Sequence, residues 1–428
     1  MHIPEELLHF IWRFRLLDHI NLKTTEGASV KIIHTGLSNT DEGPDFSFAK
    51  LRIDQTEWIG DVEIHVQEKD WSLHKHHLDE NYNKVILHVV WRADTKREYR
   101  ADQSPLITLE LRHFVDEKLL IDYQNLMHNL QWIPCAEYLP QVRDIEKMNL
   151  LNRMAIERLE HRYSLILNRL EDYGNDWERV FRALLCRAFG MKVNADAFEK
   201  LSEILPWEFL LRKRGDSLTI SALLFGQAGF LEKDGFKDRY YASLRKEFKA
   251  LEKGMGLKKM NLTEWKFMRM RPYNFPTFRL AQLAALLCQY PLRLSSVVGM
   301  QNFEDLSTEL NKLEIDPYWN NHFRFGAESP RGNRKIAPSF ISHLIINVFS
   351  LSKFGYGKYY KQERHCDEAL QSLELLKAEN NKITRGFSAL GVSPQNVSDS
   401  QALLHLHKEY CTQKRCLSCP ISYAILNR

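Results

Sequence analysis

The spacing of apolar residues changes period once along the chain of 428 residues, and that change limits the fold more than any other feature. From about residue 29 to residue 113, strand-length segments keep returning: SVKIIHTG, FSFAKLRI, EWIGDVEIHV, KVILHVVWRA and PLITLEL. A helix over residues 4–17 precedes them, opened by Pro4 and carrying Glu5 and Glu6 in its first turn, where the helix dipole favours acids. Between the third and fourth segments lies EKDWSLHKHHLDENYNK, polar enough for a short surface helix or an irregular connection. The resulting order, α-β-β-β-(α)-β-β, predicts a mixed sheet. After about residue 145 the apolar residues recur every three or four positions instead, in MNLLNRMAIERLEHRYSLILNRLEDY, DWERVFRALLCRAF, TISALLFGQAGFL and their successors. No fixed repeat marks a helical solenoid. The stretch NLQWIPCAEYLPQVRDIEK carries two prolines and loses the period, so it reads as the boundary. These signals predict an α+β protein. A mixed-sheet α/β domain over residues 1–125 and a linker over 126–145 precede a larger, mainly helical domain over 146–428.

Composition excludes several classes. Hydrophobic residues at 44% and charged residues at 27% rule out a disordered or fibrous chain. No run approaches the ~18 apolar residues of a membrane span, and the charged and histidine residues of the N-terminal segment break up any signal-peptide core. Seven cysteines, an odd number scattered among apolar neighbours, suit a reducing compartment and predict a cytoplasmic protein without a membrane partner. The net charge of +4 permits a nucleic-acid partner without requiring one.

The segment GPDFSFAKLRIDQTEWIGDVEIHV holds the sharpest polar pattern. A turn near Asp54-Gln55-Thr56 makes it a hairpin. By alternation, Trp58, Gly60, Val62, Ile64 and Val66 share one face of the second strand, and Asp61, Glu63, His65 and Gln67 share the other. That second row is either solvent-exposed, as one face of an antiparallel sheet often is, or functional. The hairpin brings Asp45 opposite the far end of the second strand, near Glu63 and His65. Two converging carboxylates offer hard oxygen ligands to Mg²⁺ or Mn²⁺, and an acid of the preceding helix, Glu5 or Glu6, can complete the set; Glu6 is taken into the candidate site.

Pro44-Asp45 followed by Glu63-x-His65, with the element order around them, resembles the PD-(D/E)xK nuclease superfamily over roughly residues 4–113. The resemblance implies a restriction-endonuclease-like fold, a divalent metal on Asp45 and Glu63, and cleavage of nucleic acid. His65 stands where that superfamily has a water-orienting Lys, and it takes that place in the candidate site as the stand-in base. Imidazole, with an ordinary pKa of about 6.5, is also suited to coordinate the metal. Lys50 and Lys69 are conceivable substitutes that spacing does not choose between. The same N-terminal string, with the later RPYNFPTFRLAQ and YCTQKRCLSCPI, also resembles an uncharacterised bacterial family, a domain of unknown function, across the whole chain.

Two further clusters carry metal-ligand chemistry. His74, His76 and His77 lie beyond the third strand with Asp70 and Asp79 nearby, either as surface polar residues or as a transition-metal site; His88, between Ile86 and Val90, reads as a core histidine. Cys411-x4-Cys416-x2-Cys419 packs three thiols into nine residues, suiting zinc or an iron–sulfur cluster. His407, one helical turn before Cys411, would supply the fourth ligand, or Cys366 or Cys135 would. The expected role is a structural clamp rather than electron transfer. In the helical half, cations alternate with Tyr240, Tyr241, Phe248, Trp265, Phe267 and Tyr273, either as a nucleic-acid surface or, preferably, as a solvated face with its rings turned to the core. FGAESPRGNRKIAPS reads as a basic loop without the form of a nucleotide-binding loop.

Three functions follow as expectations. The leading one is divalent-metal-dependent cleavage of DNA or RNA. The second is a non-catalytic nucleic-acid-binding or scaffold protein keeping a nuclease-like fold. The third is hydrolysis of another phosphate ester at a site built from His74, His76 and His77.

Overall fold

The computed structural model describes residues 3–39, 41–94, 96–232, 238–290, 292–332 and 334–427. It is an α+β protein whose chain divides into two compact units. The first comprises residues 1–150, 385–393 and 404–428; the second comprises 151–384 and 394–403. This division differs from the expected one. Residues 126–145 hold buried Ile133, Ala136, Leu139 and Val142, so that stretch is packed structure rather than linker.

In the first unit, α1 (Glu5–Phe14) follows Pro4 and stops at Arg15, whose left-handed backbone (φ 53°) turns its N–H onto the carbonyls of Ile11 and Trp12. Leu7, Leu8, Phe10, Ile11 and Trp12 are all buried, each stabilising the fold by roughly 1.5–3 kcal/mol at the largest. Trp12 Nε1 donates to Thr35 O at 3.0 Å and Arg15 to Ile33 O at 2.7 Å. These bonds fix α1 against the sheet.

The five strand-length segments form strands: β1 (Val30–His34), β3 (Phe46–Ile53), β4 (Thr56–Gln67), β5 (Val85–Arg92) and β6 (Thr108–Glu110). A short β2 (Leu37–Ser38) also pairs with β3. The spatial order is β1-β3-β4-β5-β6, with β1, β3 and β4 antiparallel and β4, β5 and β6 parallel. The β3–β4 hairpin closes at Ile53↔Thr56, so only Asp54 and Gln55 lie outside the ladder, as the turn residues predict. β4 is long enough to change surroundings: Thr56–Ile59 are exposed, whereas Val62–His65 are buried on both faces. A strand with a parallel neighbour is ordinarily covered on both sides, and this is why Glu63 and His65 are not on a wet face.

Gly60 of β4 is required by packing. A Cβ there would lie 2.4 Å from Ile86 Cγ2 and 2.6 Å from the Lys84 carbonyl oxygen, and the latter is backbone. Gly60→Ala is expected to cost about 1–3 kcal/mol, read as a lower urea midpoint; an unchanged midpoint would contradict this close approach.

The parallel β4–β5 crossover contains α2 (Asp70–Leu73) and two 3₁₀ turns, His76–Leu78 and Glu80–Lys84. After β6 come α3 (Glu117–His128) and α4 (Asp144–Asp172), the latter running from the first unit into the second.

Among its described residues the second unit is helical apart from one small hairpin, His322–Arg324 with Ala327–Glu328, whose second strand falls in the segment expected as a basic loop. Asn333 of that loop lies outside the described residues. The helix Ser217–Gln227 is buried from Thr219 to Gln227, and the helix Pro276–Gln289 from Pro276 to Cys288. Being apolar almost all round, they form the centre, as helices without a polar face must. Tyr241, Phe248 and Trp265 are buried in the same core, so the basic segments turn these rings inward, and only Tyr273 of the six is well exposed.

Candidate metal centre

Where β3 meets β4, two carboxylates and two backbone amides interlock. The Asp45 N–H donates to Glu63 Oε2 at 3.1 Å, and the Ile64 N–H donates to Asp45 Oδ2 at 2.9 Å. The meeting of Asp45 and Glu63 expected from the hairpin is therefore present. From α1, His9 Nε2 reaches to 3.3 Å from Asp45 Oδ2, and Glu5, one turn earlier on the same helix face, lies 4.0 Å from His9. Glu6 is exposed, so α1 presents Glu5 rather than Glu6 to this region.

The second oxygen of Glu63 faces histidines. His65 Nε2 lies 3.5 Å and His76 Nε2 3.3 Å from Glu63 Oε1, and His65 Nε2 lies 3.1 Å from His74 Nδ1. Ligand atoms of His65, His74 and His76 all fall within 4.8 Å of one another. The crossover achieves this with one unusual residue: Lys75 takes the left-handed conformation (φ 65°) between α2 and the 3₁₀ turn. That conformation costs an L-residue about 1–2 kcal/mol. It turns the chain so that His74 and His76, on either side of it, both face His65. Trp71 packs edge-on against His76, and Tyr82 stacks on it with ring centroids 3.9 Å apart.

Behind this group, His65 Nδ1 lies 2.8 Å from His88 Nε2, and His88 is fully buried with no protein partner for its Nδ1. With the shared proton on His65 Nδ1, the bond fixes the ring and leaves the Nε2 lone pair aimed at Glu63, His74 and His76. A tetrahedral ion with metal–nitrogen distances of about 2.0–2.1 Å separates neighbouring ligand atoms by roughly 3.3 Å. The three distances here, 3.1, 3.3 and 3.5 Å, match that edge.

Electrostatics agrees with the geometry. Glu63 is 5% exposed and His65 1%. Burial, with Asp45 nearby, pushes the Glu63 carboxyl up to about 9. Burial, reinforced by the neighbouring rings, brings His65 down to about 3 and His76 to about 4, and holds His88 well below its ordinary value. The isolated protein thus holds neutral imidazoles with free lone pairs around a carboxyl that lacks a counter-charge. A cation at their centre would supply that charge. Burial is the strongest influence on His9 and opposes its charged form, but the bond to Asp45 and the charges of Asp45, Glu5 and Glu6 together outweigh it and raise its pKa. The side of the group toward His74 is exposed, which gives an ion a way in.

Lys50 pairs with Glu57 at 3.1 Å along the exposed half of the hairpin, and Lys69 is exposed at the start of α2. Sequence reasoning passed over His9, although its position four residues after Glu5 was a readable signal. His88 is the buried core histidine that the sequence suggests, although nothing local announces that its partner is His65.

Elsewhere in the first unit, Cys411, Cys416 and Cys419 line one small apolar cavity together with Cys135. His407 instead stacks its ring on Trp132, with centroids 5.5 Å apart, and Cys366 belongs to the second unit. Burial, with the neighbouring sulfurs, raises the Cys135 thiol to about 12 and Cys411 further.

The fold and its buried histidine–carboxylate group define an α+β protein with a candidate metal centre on a mixed sheet. The family model described as protein of unknown function (DUF2851) matches residues 5–382, and the chain belongs to that family. Neither a curated protein nor a solved structure matches it. No helix among the described residues is long and apolar enough to cross a membrane.

Proposed function

We propose that this protein is a divalent-metal-dependent hydrolase of phosphodiester bonds in nucleic acid. The observation that carries the reading is that His65, His74 and His76 bring ligand atoms within 4.8 Å of one another while Glu63 Oε1 lies 3.5 Å from His65 and 3.3 Å from His76, with the Asp45–His9 pair beside them. The substrate class is supported by the likeness of Asp45, Glu63-x-His65 and the surrounding element order to metal-dependent nucleases. Three imidazoles and one carboxylate suit Zn²⁺ or Fe²⁺ better than Mg²⁺, which prefers oxygen ligands and keeps its water. In this reading His65 is a ligand rather than the stand-in for a lysine. A bound ion would polarise a phosphate oxygen and lower the pKa of a bound water. His9, held by Asp45, is the group placed to accept a proton on the side toward α1. That none of the seven cysteines forms a disulfide supports a reducing, cytoplasmic setting.

The deep burial of His65 and Glu63 favours a second reading, a non-catalytic nucleic-acid-binding or scaffold protein in which the ion only fastens the crossover to the sheet. Purified protein loaded with Zn²⁺, Fe²⁺, Mn²⁺ or Mg²⁺ and offered single- and double-stranded DNA and RNA separates them. Metal-dependent cleavage supports the first reading, and salt-sensitive binding without cleavage supports the second. Hydrolysis of small phosphate esters alone would overturn both in favour of the third expectation, phosphate-ester hydrolysis at the histidines of the crossover.

The bond from His65 to His88 has its own test. Supports of this kind are worth about 10–100-fold in metal affinity. His88→Leu, which keeps the bulk and removes the nitrogen, should weaken metal binding by that factor in a chelator competition while circular dichroism stays unchanged. Unaltered affinity would remove His88 from the centre.

A further inference from the structure

The four cysteines around one cavity are unconnected with the histidine site. Three come from the chain's last turns: Cys411 ends the π-helical turn Leu406–Cys411, Cys416 opens a 3₁₀ turn, and Cys419 follows it. The fourth, Cys135, sits just after α3, where its carbonyl accepts the N–H groups of Tyr138 (3.0 Å) and Leu139 (2.9 Å) in a tight turn. Leu126, Ile421 and Ile425 supply apolar walls. All of these residues belong to the first unit.

Four thiols closing on an apolar space make a soft-metal ligand set. Zinc and iron–sulfur clusters both take four cysteines, but they differ in size. A tetrahedral zinc with bonds of about 2.3 Å holds its sulfurs roughly 3.8 Å apart. Among the described residues, only His65, His74 and His76 bring three such donor atoms all within 4.8 Å of one another. No three of the sulfurs reach zinc spacing, whereas a cluster interposes iron and sulfide between its cysteines and needs the wider arrangement.

We infer that Cys135, Cys411, Cys416 and Cys419 hold an iron–sulfur cluster that fastens the C-terminal segment to the sheet-bearing unit. The segment already docks through Lys414 Nζ on Met127 O at 2.8 Å and through Tyr423 against Phe14 of α1, ring centroids 5.2 Å apart. The cluster joins residues that lie far apart in sequence, so its loss should free the chain's end before it unfolds the sheet.

The full chain, purified without oxygen or reconstituted with ferrous iron and sulfide, is expected to hold iron and acid-labile sulfide in equal amounts and to absorb in the visible range. Cys135→Ser and Cys416→Ser should each reduce bound iron to below about one tenth of wild type and hasten proteolysis after residue 404. Cys366→Ser, in the second unit, should change neither. Stoichiometric zinc without sulfide, no iron in the reconstituted wild type, or full iron retention in Cys135→Ser would each overturn the assignment. The wild-type metal content decides the matter even if a variant fails to fold.

Discussion

Glu63→Gln is expected to lower metal-dependent phosphodiester cleavage by about a thousandfold or more, with the fold intact. The size follows from what a bound ion contributes: several kcal/mol of charge stabilisation in the transition state, at 1.36 kcal/mol for each factor of ten in rate. Glutamine keeps the length of the side chain and an oxygen that can still accept the Asp45 N–H. It also mimics the carboxyl as the metal-free protein holds it, because burial keeps the Glu63 proton on up to about 9. Stability without metal should therefore move by less than about 1 kcal/mol, while the shift of the melting temperature produced by added metal should shrink or vanish. That pairing separates a lost ligand from a damaged fold. Cleavage at the wild-type rate in Glu63→Gln would remove this carboxylate from the chemistry, and with it the proposed centre.

Much of this site was legible because a two-residue turn fixes a hairpin's register. Once Asp54 and Gln55 close the turn, Ile53 to Ala49 pair in fixed register with Thr56 to Gly60; a bulge between Ala49 and Phe46 then shifts the register by one, sets Phe46 opposite Val62 and so brings Asp45 beside Glu63, with β3 at the expected Phe46–Ile53. Burial was not legible in the same way. Period-two alternation tells which residues share a face but not whether that face is covered. The cover of Glu63 and His65 comes from the parallel partner β5, the crossover and α1, which the hairpin's own sequence does not encode. His74 and His76 read as polar surface because Lys75 gives no sign of its left-handed backbone; a glycine there would have drawn attention to the turn. Cys135 was one of three candidates for the fourth ligand, with His407 and Cys366. Sequence distance could not rank them, since the neighbour in space lies before α4, far along the chain from Cys411, Cys416 and Cys419. The first unit's main segment ends at Leu150, near the expected residue 145, but the sequence did not show that residues 385–393 and 404–428 rejoin it; prolines mark where a helix cannot continue, and here they sit within packed structure.

In the second unit, Glu368→Gln is expected to destabilise by about 3–5 kcal/mol, because it leaves a buried cation without its counter-charge. Lys353, in the helix Ser350–Tyr359, has a side chain with no solvent exposure. Its ammonium donates to Val298 O at 3.2 Å, to Met300 O, and to Glu368 Oε2 at 2.6 Å across to the helix Glu363–Glu374. All three of its protons are thus used, and Glu368 also accepts from Arg364 Nε at 2.8 Å. Burial works to raise the Glu368 carboxyl, but its bonds to Lys353 and Arg364 outweigh it and bring the pKa down to about 2. A carboxyl lowered by folding contributes stability that is complete above its unfolded value and fades as pH falls toward the folded one. The pair should therefore stabilise fully at pH 7, weaken from about pH 5, and be spent near pH 2, and the gap between wild type and Glu368→Gln should close over the same interval. Urea denaturation at pH 7, 4 and 3 measures this directly. Replacing both partners together, Lys353→Met with Glu368→Leu, should cost far less than the single changes combined, since no charge is then left buried. A single-variant loss below about 1 kcal/mol at pH 7 would mean that the pair behaves like an exposed salt bridge, and that water reaches Lys353 in solution.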